Sequence, residues 1–465
     1  MQRQSKQRFS VPIIQRMLLA IVVSTCFMTT AIADGDRVAE LERRVAELES
    51  MVEALLDDRR AAPVASREEL QQAKTEAQQA QTEASQAREQ LAEFERRLEP
   101  VLARAEEKAD KPTFSYGGYI KADFMVSDFD DGEVAGDSLG RDFFVPAIVP
   151  IGGKGSTNFD AHARQTRFNF GTSHQIGEDT VESFIELDFL TTPGGTERTT
   201  NNFSPRLRHA FVKWNNWLVG QTWNTFMDVA TLPDSVDFIG PTSGTSFGRT
   251  PMVRYTNGGF AVALENPESS VTPLGGGRIE TDDGKLPELA ARYTWKADWG
   301  HFQLGGVLRQ LEIDNNTTNL DDTEVGWGVS LSGKVMLGRD DIRYMVHGGD
   351  GLGRHVALNF ANGAALTDTG SLEAISSVGG FVAYRHLWSN QWRSNVSFGY
   401  IEVDNPERFT GELANKSSWN AQINLFYSPV QPLSFGVEYL TAEREIESGA
   451  EGQLNRFQFT TKYVF

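Results

Sequence analysis

The chain has 465 residues, a formal net charge of −19, one cysteine, 43 glycines and 29 phenylalanines. Its acidic balance argues against nucleic acid as a partner, because surfaces that bind nucleic acid carry an excess of Lys and Arg. The cysteine, Cys26, lies in a segment that we expect to be removed. The mature chain would then have no disulfide framework, thiolate metal site or cysteine nucleophile.

Residues 1–33 have the pattern of a secretory signal peptide. Four basic residues up to Arg16 precede an apolar run from Met17 to Ala31, and Ala31-Ile32-Ala33 forms a cleavage site. The run is shorter than the ~20 apolar residues that a membrane-spanning helix needs. We therefore expect a secreted chain that starts at Asp34.

Residues 34–62 and 63–112 are predicted to form two helical segments of a coiled-coil stalk. Apolar residues recur three and four apart from Val38 to Leu55, and an Ala-rich series out of phase with them follows Pro63. A single helix would leave this apolar stripe exposed to water, so we expect the helices to associate with one another. The number of chains stays open, because Val at a with Leu at d favours two, whereas Arg44 to Glu49 resembles a pattern of trimeric coiled coils.

From residue 113 to residue 465 the apolar period changes to two, which is typical of strands. We predict sixteen strands, an even number as in bacterial outer-membrane barrels. The predicted strands are 114–127, 163–176, 179–191, 206–215, 217–225, 250–257, 259–266, 288–297, 299–311, 324–337, 340–348, 374–387, 390–402, 417–428, 432–442 and 453–465.

The connections between these strands alternate between short turns and long loops, as in membrane barrels. The predicted long loops are 128–162, 192–205, 224–249, 267–287, 312–323, 349–373, 403–416 and 443–452. The last strand carries Phe457, Phe459, Tyr463 and Phe465 on one face, which indicates a lipid-facing aromatic end that pairs with the first strand. The predicted fold is an all-β transmembrane barrel of about 16 antiparallel strands, preceded by an α-helical coiled-coil segment.

Cations alternate with the lipid-facing side chains and are therefore assigned to the lumen, since Arg in hydrocarbon costs several kcal/mol. The cations expected to line the pore and attract anions are Lys121, Arg167, Arg206, Arg208, Arg254, Arg292, Arg309 and Arg393. Such rows attract anions, and the guanidinium fork suits carboxylates and phosphates. The alternative is that these cations pair with loop acids and hold the pore open.

The long segment 224–249 follows the fifth strand, where trimeric porins fold their third loop inward. We predict that it forms a constriction with Asp228, Asp234, Asp237 and Arg249.

Five short motifs, in order along the chain, resemble segments of the DcaP-like porins. They are Tyr116-Gly-Gly-Tyr-Ile-Lys-Ala-Asp123, Arg206-Leu-Arg-His-Ala-Phe211, Trp217-Leu-Val-Gly-Gln-Thr-Trp-Asn-Thr-Phe226, Pro233-Asp-Ser-Val-Asp-Phe238 and Arg249-Thr-Pro-Met-Val-Arg-Tyr-Thr256. The resemblance implies a homotrimeric sixteen-stranded barrel in the bacterial outer membrane, with a periplasmic coiled coil. It also implies passive uptake of small anionic solutes, dicarboxylates in particular.

Two other functions were weighed. An enzyme is disfavoured, because the histidines are scattered, Gly-x-Ser-x-Gly is absent, and Asp314 to Asn319 lacks the residues of a calcium loop. We predict no catalytic residues, metal or cofactor. A structural protein is the alternative function, in which the stalk tethers the membrane to a periplasmic or cell-wall partner. In either case the expected contacts include outer-membrane lipid and lipopolysaccharide.

Overall fold

The computed structural model describes Arg96 and residues 111–190, 200–315 and 320–465. The predicted signal peptide, the coiled coil of 34–62 and nearly all of 63–112 lie outside the described residues. Residues 111–465 form one compact unit built almost wholly of strands. None of the described helices is long and apolar enough to cross a membrane.

Twenty-one strands follow one another along this unit. They are β1 (Thr113–Phe129), β2 (Ser156–His162), β3 (Arg167–Ile176), β4 (Asp179–Asp188), β5 (Arg206–Trp214), β6 (Trp217–Trp223), β7 (Arg249–Asn257), β8 (Phe260–Glu265), β9 (Ser269–Thr272), β10 (Ile279–Thr281), β11 (Glu288–Ala297), β12 (Gly300–Asn315), β13 (Leu320–Leu337), β14 (Asp340–Asp350), β15 (Ala364–Leu366), β16 (Leu372–Ala374), β17 (Ser376–Leu387), β18 (Trp392–Asp404), β19 (Asn415–Val430), β20 (Leu433–Ile446) and β21 (Glu451–Val464). A short α-helix, α1, spans Glu407–Thr410.

Seventeen of these strands form one antiparallel sheet that closes on itself. The strands β2 and β3 pair in turn with the two halves of β1 and occupy one position, so the barrel has the sixteen positions that the sequence predicted. Closure comes from β1 and β21, which pair from Tyr119↔Val464 to Phe129↔Leu454. Phe465 extends this pairing by exchanging two main-chain hydrogen bonds with Gly118, of 3.1 and 3.2 Å. Closure pairs the first strand of the wall with the last, so neither of them is an edge strand exposed to hydrocarbon.

Side-chain exposure alternates along the strands as expected for a lipid-facing wall around a polar interior. On β1, Ile120, Phe124 and Val126 are exposed, whereas Lys121 and Asp123 are buried. Because the backbone pleat points successive side chains to opposite faces, the exposed residues lie on the outer wall and the buried ones face the lumen.

Turns of two to four residues connect the strands at one end of the barrel, here called the turn end. Gly177, Asn215, Gly258 and Gly338 adopt positive φ values between +51° and +67° in four of these turns, as tight hairpins require. The opposite end, here called the loop end, carries the longer connections. A separate four-stranded sheet of β9, β10, β15 and β16 forms within the loop-end segments and was not predicted.

Two loop predictions were wrong. The segments 312–323 and 443–452 were expected to be long loops, but β12 and β20 continue to Asn315 and Ile446, and β13 and β21 resume at Leu320 and Glu451. The alternation of the wall stops in both segments, while the hydrogen-bonded ladder continues. On β12, Leu311 and Ile313 pack instead against the four-stranded sheet. β2 lies in the predicted loop 128–162 and was not predicted; it pairs with the second half of β1, from Asp123 to Phe129.

Candidate functional site

The segment 224–248, here called the inward loop, leaves the wall between β6 and β7 and reaches the opposite wall. The Ser246 amide lies 3.3 Å from the Met345 sulfur on β14, and the Ser243 amide donates to Asn420 on β19 at 3.1 Å. Beneath them, Lys121 on β1 donates to the Val236 carbonyl at 2.7 Å. The inward loop therefore spans the lumen.

Glu438 on β20 anchors the tip of the inward loop. Its carboxylate accepts the Val236 and Asp237 amides at 3.0 and 2.9 Å, the Ser235 hydroxyl at 3.0 Å, and the Asn424 amide at 2.8 Å. The carboxylate is fully buried, so these donors satisfy a charge that is otherwise costly to desolvate. Glu438 thus accepts more hydrogen bonds from the tip than the wall side chains Lys121 and Arg393 make with it.

Glycine on both surfaces lets the inward loop lie directly on the wall. A Cβ atom at Gly399 would lie 2.8 Å from the Pro241 carbonyl oxygen and 2.9 Å from the Gly244 nitrogen. A Cβ atom at Gly244 would lie 1.8 Å from the Gly380 carbonyl oxygen. The loop and the wall are therefore in backbone contact here.

We expect Gly399→Ala to destabilise the folded barrel by about 1–3 kcal/mol, because the added methyl group overpacks this contact. The urea midpoint of unfolding in detergent micelles measures the effect. Gly306→Ala is the matched control, since the nearest atom to its Cβ is 3.8 Å away. Equal midpoints for the two variants would show that the loop does not press on Gly399.

Several wall cations donate to main-chain carbonyls of the inward loop or of the residue just before it. Arg254 reaches the Trp223 carbonyl at 3.2 Å, and Arg292 reaches the Met227 carbonyl at 3.0 Å. Within the described part of the chain, neither guanidinium forms an ion pair with a carboxylate. A carbonyl satisfies a donor without cancelling its charge, so both cations position the loop and remain charged towards the lumen.

One cavity of about 530 Å³ lies at the turn end, between the inward loop and β6, β7 and β11–β13. We call it chamber one. Its basic lining residues are Arg254, Arg292, Lys296, Lys334 and His301, and Asp228 is the carboxylate among the lining residues. Lys296, His301 and Lys334 are direct cross-strand partners on β11, β12 and β13. Lys296 and Lys334 flank His301 in this row, so two ammonium groups lie on one part of the wall, where a bound anion would be favourable.

Asp228 offsets one of the positive charges of chamber one. Its carboxylate accepts from His301 at 2.8 Å and from Ser332 at 2.9 Å, and its backbone begins the 3-10 turn Val229–Thr231. Lys334 lies 3.7 Å from Asp341, but Arg343 and Arg385 contact the same carboxylate at 2.7 and 2.6 Å. Chamber one therefore has a surplus of positive charge.

A second cavity of about 290 Å³ lies at the turn end against β1, β3 and β18–β21. We call it chamber two. Its cations are Lys121, Arg167, Arg393 and Lys462, and its carboxylates are Asp234 and Asp237. Arg393 pairs with Asp234 at 3.0 Å, and Lys121 pairs with Asp123 at 3.0 Å. More of the positive charge is neutralised here than in chamber one.

Asp237 is held inside the protein rather than facing solute. It accepts the Phe144 amide at 3.0 Å and lies 3.9 Å from the guanidinium of Arg456. Burial raises the pKa of Asp237, against the lowering influence of Arg456 and of the Phe144 amide. Its contacts tie the inward loop to the segment that follows β1.

Four of the cations singled out in the sequence line neither chamber. Arg206 and Arg208 contact Asp188 at 2.8 Å each, and Arg208 also contacts Glu186 at 2.7 Å. Arg309 contacts Glu288 at 2.9 Å and donates to loop carbonyls. Arg249 lies over the Trp223 ring, 4.8 Å from its centroid. For the first three, acidic residues on the neighbouring wall strands offset the charge, whereas the alternative interpretation expected acids of the loops.

Three lysines that line the chambers, Lys296, Lys334 and Lys462, were not predicted. The alternation of side chains contains the signal for them. Lys296 follows the exposed Trp295, Lys462 precedes the exposed Tyr463, and Lys334 shares a face of β13 with the buried Ser330 and Ser332.

A further cavity of about 560 Å³ lies on the outer wall and is lined mainly by apolar side chains such as Trp388, Trp392, Ile423, Leu425 and Phe457. It faces the side expected to contact lipid and has no bearing on solute in the lumen.

Residues 154–465 match the family model described as DcaP outer membrane protein. Among solved structures, the chain is similar to the outer membrane channel DcaP of Acinetobacter baumannii, with 26% identity, 76% of this chain and 97% of that chain covered, and a TM-score of 0.64. It is also similar to the anion-selective porin from Comamonas acidovorans, with 9% identity, coverage of 76% and 100%, and a TM-score of 0.48. No curated protein sequence matches. Because the family model spans more than half of the chain, this protein belongs to the DcaP outer membrane protein family.

Proposed function

We propose that the protein is a passive diffusion channel of the outer membrane that prefers small anions, with dicarboxylates as the preferred class. The observation that carries the proposal is chamber one, where Arg254, Arg292 and Lys296 face the lumen without a carboxylate partner in the described residues. The related protein of Acinetobacter baumannii is described as an outer membrane channel, which supports the same function here.

The charge arrangement favours a dianion over a neutral solute of the same size. Two unit charges 6 Å apart attract by roughly 3 kcal/mol at an effective dielectric of ~20, and solvent screening reduces this further. Loss of hydration offsets part of the attraction as the solute enters. Binding of this strength speeds entry without trapping the solute, as a channel requires.

We further propose a homotrimer whose outer wall contacts outer-membrane lipid and lipopolysaccharide, with the turn end in the periplasm. The order of turns and loops supports this orientation, because barrels of this class keep their short turns on the periplasmic side. The tethering role of the coiled coil stays a prediction from the sequence, since its residues lie outside those described.

Release of trapped solutes from proteoliposomes tests the function. Succinate and succinamide are similar in size, and only succinate is charged. We expect succinate to leave several times faster when a potassium ionophore holds the membrane potential at zero. Equal rates would contradict the anion preference, and no release of either solute would contradict the channel.

A further inference from the structure

We propose that each chain holds two separate anion sites at the turn end, one in each chamber, with the inward loop as the partition. This inference rests on the proposed function and extends it, because each site takes a small carboxylate and the two are filled independently. The two chambers have no lining residue in common. Residues 228–230 of the inward loop line chamber one, whereas Asp234, Ser235, Asp237 and Phe238 line chamber two.

The wall closes the gap between the chambers on one side of the lumen. The inward loop passes from chamber one to chamber two at Leu232, whose carbonyl accepts a hydrogen bond from Arg343 on β14. Arg343 is itself held by Asp341 at 2.7 Å. A fixed contact between the loop and the wall therefore separates the chambers here.

An aromatic cluster closes the gap on the other side. Trp223, which lines chamber one, lies 5.0 Å from Phe247, and Phe247 lies 6.0 Å from Phe238, which lines chamber two. Arg208 stacks against both ends of this cluster, 5.7 Å from the Trp223 ring and 5.6 Å from the Phe238 ring. Because the charge of Arg208 is paired and its guanidinium packs against these rings, we infer that the cluster separates the two chambers on this side.

Chamber two has the features of an anion site in its own right. Lys121 and Lys462 are direct cross-strand partners in the closing pair of strands, an arrangement that is unfavourable without a nearby anion. Asp123 offsets the charge of Lys121, whereas the Lys462 ammonium lies 4.2 Å from the Tyr119 ring centroid and pairs with no described carboxylate. One free ammonium in a smaller cavity suits a single carboxylate group.

The two chambers therefore differ in strength. Chamber one combines three cations free of ion pairs with about 530 Å³ of space, and chamber two combines one such cation with about 290 Å³. We infer a stronger site in chamber one and a weaker site in chamber two, both accessible from the turn end.

Interruption of the chloride current by succinate, titrated from the turn-end side of single channels, tests the two sites. The unaltered protein is expected to show two phases separated by at least fivefold in concentration. Lys462→Gln should shift the weaker phase at least fivefold, and Lys296→Gln should shift the stronger phase. Ser434→Asp, which adds a carboxylate to the lining of chamber two, should weaken the same phase as Lys462→Gln without removing a wall cation.

The outcomes separate the two proposals. A single phase, or one in which Lys462→Gln and Lys296→Gln shift the same transition, overturns the partition and leaves the anion channel intact. Failure of succinate to interrupt the current in the unaltered protein counts against the proposed function itself. Heat-modified mobility on gels identifies any variant that fails to fold, and Ser434→Asp then carries the test of chamber two.

Discussion

Replacing Arg254, Arg292 and Lys296 together by Gln is expected to lower succinate release from proteoliposomes about tenfold, with succinamide release changed less than twofold. Each substitution keeps a long polar side chain and removes one positive charge from chamber one. A tenfold change in release corresponds to a loss of about 1.4 kcal/mol in the attraction between succinate and the chamber. Three nearby positive charges supply more than this even after solvent screening.

A matched variant removes the same charge elsewhere. Lys154, Lys285 and Arg408 are exposed in segments at the loop end and line neither chamber. Their combined replacement by Gln should leave the ratio of succinate to succinamide release within twofold of the unaltered protein. If both triple variants lower the ratio equally, net charge rather than the geometry of chamber one sets the preference.

Glu438→Ala is expected to release the tip of the inward loop and to raise single-channel conductance at least 1.5-fold, with larger current fluctuations. The substitution leaves the Val236 and Asp237 amides and the Ser235 hydroxyl without their acceptor. Each unsatisfied buried donor costs roughly 1–3 kcal/mol, which favours a loop position in which water reaches these groups.

Planar-bilayer recordings measure this effect, and Glu443→Ala is the control. Glu443 also lies on β20 but accepts from Trp419 and Gln453 and makes no contact with the inward loop. Conductance and noise equal to those of the control would mean that Glu438 does not hold the loop.

The barrel was predictable because each wall strand has lipid on one face and water on the other. Apolar and polar side chains therefore alternate along each strand, and the sequence shows this alternation. Sixteen alternating segments therefore gave sixteen wall positions, and the outward aromatics of β21 indicated which face was which. The extensions of β12 and β20 beyond the wall were not predictable in this way. There one face of β12 packs Leu311 and Ile313 against the four-stranded sheet at the loop end, so the pattern no longer follows the division between lipid and lumen.

The site was predictable in part. Alternation placed Arg254 and Arg292 on the inner wall, but it did not distinguish them from Arg309, whose charge is matched by Glu288. That pairing depends on which strands become neighbours, which the order of residues along one strand does not encode. The partition at Leu232 and Arg343 depends on a contact between residues 111 positions apart, so it could not be predicted from the sequence either.

The reversal potential of the unaltered channel in a gradient of potassium chloride tests the central claim most directly. If unpaired cations at the turn end control the lumen, the potential takes the sign of chloride permeability exceeding potassium permeability. A potential of the opposite sign, with potassium the more permeant ion, would contradict the claim.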